Sequence, residues 1–225
     1  MSRIQKAFER RFRELLAELG ARDRDRGVHW LFAHAESRGE RSMAYALAEE
    51  NIRLAEKVHR FRERNGSARR SAFAPIVFCD AGLGGLARWL RAAGCDARWV
   101  QDIADAELVN QALQRGATIV TTDSLLLDRR PITRGEVRAI WVPPALTKLE
   151  QLRLVRAELD LPEIDSRCMR CGGELRLVDK EAMRDRIPPK TYRWVDEYYQ
   201  CSRCGQLFWE GTHWQRVTAR LQQTL

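Results

Sequence analysis

Two short cysteine pairs constrain this chain more than any other feature. Cys168-Met169-Arg170-Cys171 is followed by Gly172-Gly173, and after a gap of 29 residues Cys201-Ser202-Arg203-Cys204 is followed by Gly205. The two-residue gap lets both sulfurs of a pair reach one tetrahedral ion at about 2.3 Å. The glycine permits the tight turn that aims backbone N–H groups at the sulfurs. Four thiolates fill the coordination sphere of zinc and leave no open position for water, so the expected zinc is structural. Other readings of the same residues are two redox pairs or unrelated thiols. Disulfides fit poorly, because the N-terminus MSRIQKAFERRFRELL is amphipathic and lacks an apolar signal core. A cytoplasmic setting is expected. Cys79 and Cys95 stand alone, and Cys79 sits in an apolar run as a small core residue.

Three stretches follow from composition and periodicity. In residues 1–72, Ile4, Phe8, Phe12, Leu15 and Leu19 recur at helical spacing, and Met43, Leu47, Leu54, Val58 and Phe61 mark a second, longer helix. A short apolar piece, His29 to Phe32, lies between them, and residues 68–71 read as a linker. The expectation is a helical hairpin or small bundle, and these helices are the expected surface for a homo-oligomer or protein partner. Residues 73–161 alternate: strands over 75–79, 97–101, 118–122 and 137–142, with helices over 83–93, 106–114 and 147–159. That alternation predicts an α/β fold, a parallel sheet flanked by helices, with functional groups beyond the carboxyl ends of the strands. Residues 162–225 carry the cysteine pairs, with strands over 174–178 and 193–200, a short helix over 180–186 and a last helix over 212–223.

The formal charge of +8 points to a polyanionic partner, most often nucleic acid. The excess is concentrated at the N-terminal end, where residues 1–70 carry 17 Lys and Arg against 11 Asp and Glu. No apolar run approaches the roughly 20 residues of a membrane helix.

Carboxylates recur where strands end. Asp80 follows the first strand, Asp102, Asp105 and Glu107 the second, and Asp123 and then Asp128 the third. In a parallel sheet these converge at one edge. Clustered carboxylates raise one another's pKa unless a cation lies between them, and magnesium or manganese suits carboxylate oxygens. The fitting chemistry is metal-assisted phosphodiester hydrolysis. The competing reading is local, since each acid also precedes a helix, where Asp is a favoured N-cap. Asp80, Asp105 and Asp123 are the principal candidates; Asp102, Glu107 and Asp128 are secondary.

The strand ending in Asp80, the run Gly85-Leu86-Ala87-Arg88-Trp89-Leu90-Arg91, Asp105-Ala106-Glu107-Leu108 and Thr121-Thr122-Asp123 resemble a PIN-like ribonuclease of the Mut-seven C-terminal RNase family. The resemblance continues through Ser166-Arg167-Cys168, Ile187-Pro188-Pro189, Asp196-Glu197 and Phe208 to Trp214, and covers about 73–220. It implies a PIN-like sheet, a C-terminal zinc ribbon and metal-dependent cleavage of RNA. Its acidic positions match Asp80, Asp105 and Asp123, and its basic helix matches Arg88 and Arg91, which would hold phosphate. Many bacterial relatives carry a ubiquitin-like N-terminal domain, whereas residues 1–72 here read as helical. Trp209 and His213 offer faces that stack on unpaired bases; against that, Trp209 fits core packing and Thr212 fits a cap for the last helix.

The expected function is a metal-dependent ribonuclease acting on single-stranded RNA. The alternative is a non-catalytic RNA- or ribosome-binding zinc-ribbon protein. A third, the nuclease of a toxin–antitoxin pair, fits the appended ribbon and helical N-terminus less well.

Overall fold

The computed structural model describes residues 2–39, 41–66, 75–161 and 164–224. The linker read over 68–71 and the boundary at 72–73 lie outside the described residues, as does residue 162 at the second boundary.

The N-terminal part is helical: α1 (Arg3–Glu18), α2 (Arg24–Ser37) and α3 (Met43–Arg64). A capping box starts α1, in which the Ser2 hydroxyl accepts from the Gln5 N–H and the Gln5 side chain accepts from the Ser2 N–H. Phe8, Phe12 and Leu15 form its buried stripe. The apolar piece at 29–32 belongs to a full helix, α2, capped by Asp23. Its buried stripe is Val28, Leu31 and Ala35, while Trp30 is 59% exposed.

The middle part alternates as expected: β1 (Ile76–Cys79), α4 (Gly84–Ala92), β2 (Asp96–Trp99), α5 (Asp105–Arg115), β3 (Thr118–Thr121), α6 (Arg130–Thr133), β4 (Ala139–Trp141) and α7 (Lys148–Leu159). The strands pair in parallel in the order β2-β1-β3-β4. Successive strand residues point to opposite faces, and two cores result. Val77, Cys79 and Val120 face one side, with Leu86 and Leu90 of α4 and Leu152 and Val155 of α7. Phe78 and Ile119 face the other, with Leu108 and Ala112 of α5. The first core does not stop at the sheet. It runs on through α7, which packs against α3, to Phe8, Phe12, Leu47 and Val58 of the helical part.

One buried polar cluster sits in that seam. Glu158 of α7 is 6% exposed and meets Arg11 of α1 at 2.8 Å, Arg138 at 2.7 Å and the Asn51 amide of α3 at 2.5 Å. Burial pushes its pKa up, but Arg11 and Arg138 outweigh that and hold the carboxyl below its ordinary range.

The C-terminal part contains β5 (Leu175–Val178), α8 (Pro189–Tyr192), β6 (Tyr198–Cys201), β7 (Leu207–Trp209) and α9 (Thr212–Gln222). The strands form an antiparallel sheet, β5-β6-β7. Its core is small: buried Ile187, Tyr198 and Leu207, with Trp209 tilted against Tyr198. The helix expected over 180–186 is a series of turns closing in one 3-10 turn, Arg184–Arg186. Bonds there span three residues, from Met183 N–H to the Lys180 carbonyl and from Arg184 N–H to the Glu181 carbonyl, and Pro188-Pro189 prevents propagation. Thr212 is the first helical residue of α9 rather than its cap, which is Gly211. Among the described residues no helix is long and apolar enough to cross a membrane.

Candidate metal centre and acidic sheet edge

Each cysteine pair folds into the same turn. Gly172 N–H donates to the Cys168 carbonyl at 2.7 Å, and Gly205 N–H to the Cys201 carbonyl at 3.0 Å. Both glycines have positive φ, 77° and 69°, a region that a Cβ disfavours. The N–H groups of Arg203 and Cys204 point at Cys201 Sγ, each at 3.4 Å. The turns bring the four sulfurs together, with all four Sγ atoms within 4.8 Å of one another. Cys168 and Cys204 lie 3.7 Å apart, and Cys171 and Cys201 3.4 Å. Tetrahedral zinc–thiolate bonds require sulfurs about 3.8 Å apart, so the donor set fits zinc in number, chemistry and spacing. Burial raises the Cys201 pKa, yet the Cys204 and Arg203 N–H groups and the neighbouring thiols hold it down to about 6. Burial pushes Cys168 up to about 12, so cation binding there must release a proton. The lone thiols Cys79 and Cys95 are buried, and that burial pushes each up to about 12, which keeps them neutral core residues.

Gly173 is a residue the spacing alone did not single out. A Cβ there would lie 2.7 Å from Cys201 Sγ and 2.8 Å from Arg203 Cβ. Gly173→Ala should therefore displace one zinc ligand at a cost of about 1–3 kcal/mol. The expected result is zinc affinity lower by about tenfold or more, measured by competition with a chromophoric chelator; unchanged affinity counts against the observed turn.

Arg91 has a different use from the one the sequence suggested. It is 5% exposed, and its guanidinium donates to the carbonyls of Ala97 (2.7 Å), Arg170 (2.9 Å) and Met169 (3.2 Å). It clamps the first cysteine turn to β2. The neighbouring chain completes the joint. Arg167 N–H donates to the Arg91 carbonyl at 2.8 Å, and the Ser166 hydroxyl to the Ala92 carbonyl at 2.6 Å, satisfying carbonyls at the end of α4. Arg88 is exposed on the same helix, and His213 is exposed on α9.

The sheet edge carries the acids. The strand order reverses direction between β1 and β3, so the crevice beyond their carboxyl ends is the topological switch point of this sheet. Asp80 and Asp123 flank it. The Thr121 hydroxyl donates to Asp80 Oδ2 at 2.8 Å and accepts from the Asp123 N–H at 2.9 Å, which ties the two loops together. Thr121 is fully buried, and its place in the Thr-Thr-Asp run was the only signal for this role. Asp80 Oδ1 also accepts from the Ala81 N–H (2.6 Å), and Asp123 Oδ1 from the Leu125 N–H (2.8 Å). Asp105 opens α5 and meets Arg129 at 3.1 Å; nothing in the sequence marked Arg129.

The secondary acids lie differently. Asp128 pairs with Arg3, Glu107 accepts from Gln111 on its own helix, and Asp102 is exposed in a left-handed turn at φ 55°. Among the described residues, the four cysteines form the one close group of three or more potential metal ligands; the carboxylates do not form a second.

Comparison with protein families gives one match: the model described as the Mut7-C RNAse domain, over residues 76–221. No curated protein and no solved structure matches the chain.

Proposed function

Since the chain belongs to the Mut7-C RNase family, we propose that it hydrolyses RNA phosphodiester bonds at the sheet edge, with the zinc ribbon as a structural appendage. One observation carries the reading. Asp80 and Asp123 flank the switch point of a parallel sheet and are joined through the Thr121 hydroxyl, with Asp105 at the start of the helix after β2. These three supply hard oxygen donors of the kind magnesium or manganese takes. When bound, such an ion would activate water and stabilise the leaving oxygen. The chain's own groups do the rest. The Thr121 bond orients Asp80, the Leu125 N–H orients Asp123, and Arg129 positions Asp105. Exposed Arg88 is positioned to attract the phosphate backbone, and exposed His213 to stack on a base. The substrate is single-stranded RNA, and four thiolate ligands suit a reducing, cytoplasmic compartment.

The test is cleavage of a labelled single-stranded RNA with magnesium or manganese. Asp123→Asn should lower the rate on the order of a hundredfold or more, and excess chelator should stop it. Equal cleavage by Asp123→Asn, or in chelator, removes this site. A second reading, a non-catalytic RNA-binding protein, is favoured by the local bonds that Asp80 and Asp123 make to the Ala81 and Leu125 N–H groups, and by the pairing of Asp105 with Arg129. It predicts salt-sensitive RNA binding without metal-dependent turnover, which the same assay separates.

A further inference from the structure

The exposed positions of α3 carry nearly one sign of charge. They are Arg53, Lys57, Arg60, Phe61, Glu63 and Arg64, four cations and one ring against a single acid. The cations recur at i, i+4, i+7 and i+11, so they share one helix face in a row about 16 Å long. The other acids of this helix are engaged elsewhere. Glu49 and Glu56 meet Arg153 of α7 at 3.3 and 3.5 Å, and Glu50 is 4% exposed. Lys57, Arg60 and Arg64 have no side-chain partner among the described residues.

A flat aromatic platform stands at the start of this row. Glu50 Oε1 accepts from Arg53 at 2.9 Å and lies 3.1 Å from His34 Nδ1 of α2. The Trp30 indole stacks on the His34 ring, with centroids 4.8 Å apart and planes 9° apart. Trp30 is 59% exposed, so the stack leaves most of the indole open to water. Arg38 also lies 3.6 Å from Glu50, which sets two guanidiniums against one carboxylate beside the rings.

The row leads away from the acidic edge. α7 follows β4 and packs beside α4, so it runs back from the carboxyl ends of the strands. Arg41 meets Glu150 near the start of α7, and Arg62 meets Asp160 at its end. α3 therefore runs alongside α7 in the same direction, with Arg64 at the far end. An occupant of this face must bring repeated anions to the row and a flat ring to Trp30. Single-stranded RNA brings both, since its phosphates repeat and its unpaired bases stack on aromatic side chains. An acidic peptide brings charge without a set of flat faces. A lipid surface is met by protruding aliphatic side chains, and the exposed set on α3 contains none.

We propose that the α2–α3 face binds single-stranded RNA outside the acidic edge, a base stacking on Trp30 and the phosphates following Arg53, Lys57, Arg60 and Arg64. The choice of RNA rests on the ribonuclease reading, and the binding is measurable without cleavage.

The experiment is fluorescence-anisotropy titration of a labelled single-stranded RNA with the full, zinc-loaded Asp123→Asn protein, over a series of salt concentrations. Replacing Lys57, Arg60 and Arg64 together with alanine should weaken binding tenfold or more. It should also flatten the slope of log affinity against log salt by about 2, at roughly 0.7 per phosphate contact. Trp30→Ala should weaken binding on the order of tenfold, Trp30→Phe should restore most of that, and Trp30→Leu should not. A duplex of the same sequence, its base faces hidden, should bind on the order of tenfold more weakly. Melting temperatures should not change, since these four side chains are exposed. Wild-type RNA affinity in either the triple variant or Trp30→Ala, or equal binding of duplex and single strand, overturns the proposal. If the variants keep RNA but lose binding to vesicles of phosphatidylserine and phosphatidylcholine, the face belongs to a lipid surface instead. Protein that binds RNA through this face yet cuts none in its wild-type form removes only the ribonuclease reading. Wild-type protein that cuts RNA, with variants of unchanged affinity, removes only this surface.

Discussion

Stripping the cation from Cys168, Cys171, Cys201 and Cys204 with a strong chelator, or replacing Cys201 with serine, should unfold residues 165–212. The buried apolar core of this region consists of Ile187, Tyr198 and Leu207. Three such side chains are too small a core to hold so short a region folded alone, whereas a structural zinc contributes about 10–16 kcal/mol of binding free energy. The sheet and helices up to residue 161 have their own cores and should stay folded. Limited proteolysis with mass spectrometry checks this: new cuts should cluster in 165–212 after chelation, and an unchanged digestion pattern contradicts the assignment of a structural metal.

Replacing Glu158 with alanine should cost about 3–5 kcal/mol, the range for removing one partner from a buried ion cluster. Three groups lose the carboxylate at once, Arg11, Arg138 and the Asn51 amide, while Arg11 keeps Glu14 and Arg138 keeps the main-chain carbonyl of residue 158. The low end is the better expectation, because the Arg138 side chain is 44% exposed and can turn to water. The pH dependence follows from the direction of the shift. The folded carboxyl sits below its ordinary value, so its stabilisation is complete above about pH 4.3 and is lost as pH falls through the lower folded pKa. Denaturant midpoints of wild type and Glu158→Gln should therefore differ most near neutral pH and converge as acid is added. A constant difference down to strongly acidic pH contradicts this account.

Much of the sheet was legible because β1 and β3 are short apolar runs followed by Asp, and because Gly116 ends α5 with a left-handed residue at φ 58°. The zinc turns were legible for a similar reason, since ligand spacing and turn glycines are local. What escaped the sequence depends on distant partners. Arg91 looks like any helix-face arginine, and its burial comes from carbonyls 78 and 79 positions away. Within the apolar piece at 29–32 only Leu31 is buried, because the inward face of α2 is the stripe Val28, Leu31 and Ala35, and Trp30 lies off it. β7 has three residues, too few to show a period. For the acids, the sequence places Asp80 and Asp123 at strand ends, but the Thr121 bond that joins them follows from the pairing of β1 with β3.

The apolar interior that runs from the sheet through α7 into α3 and α1 sets a limit on how this chain can be divided. A fragment beginning at Pro75 would retain every cysteine ligand and every candidate acid. It would also expose to water the surfaces of α7 and Trp141 that now meet the N-terminal helices. Such a fragment should self-associate, so a truncated enzyme that proves inactive or insoluble speaks to its exposed flank and not to its chemistry.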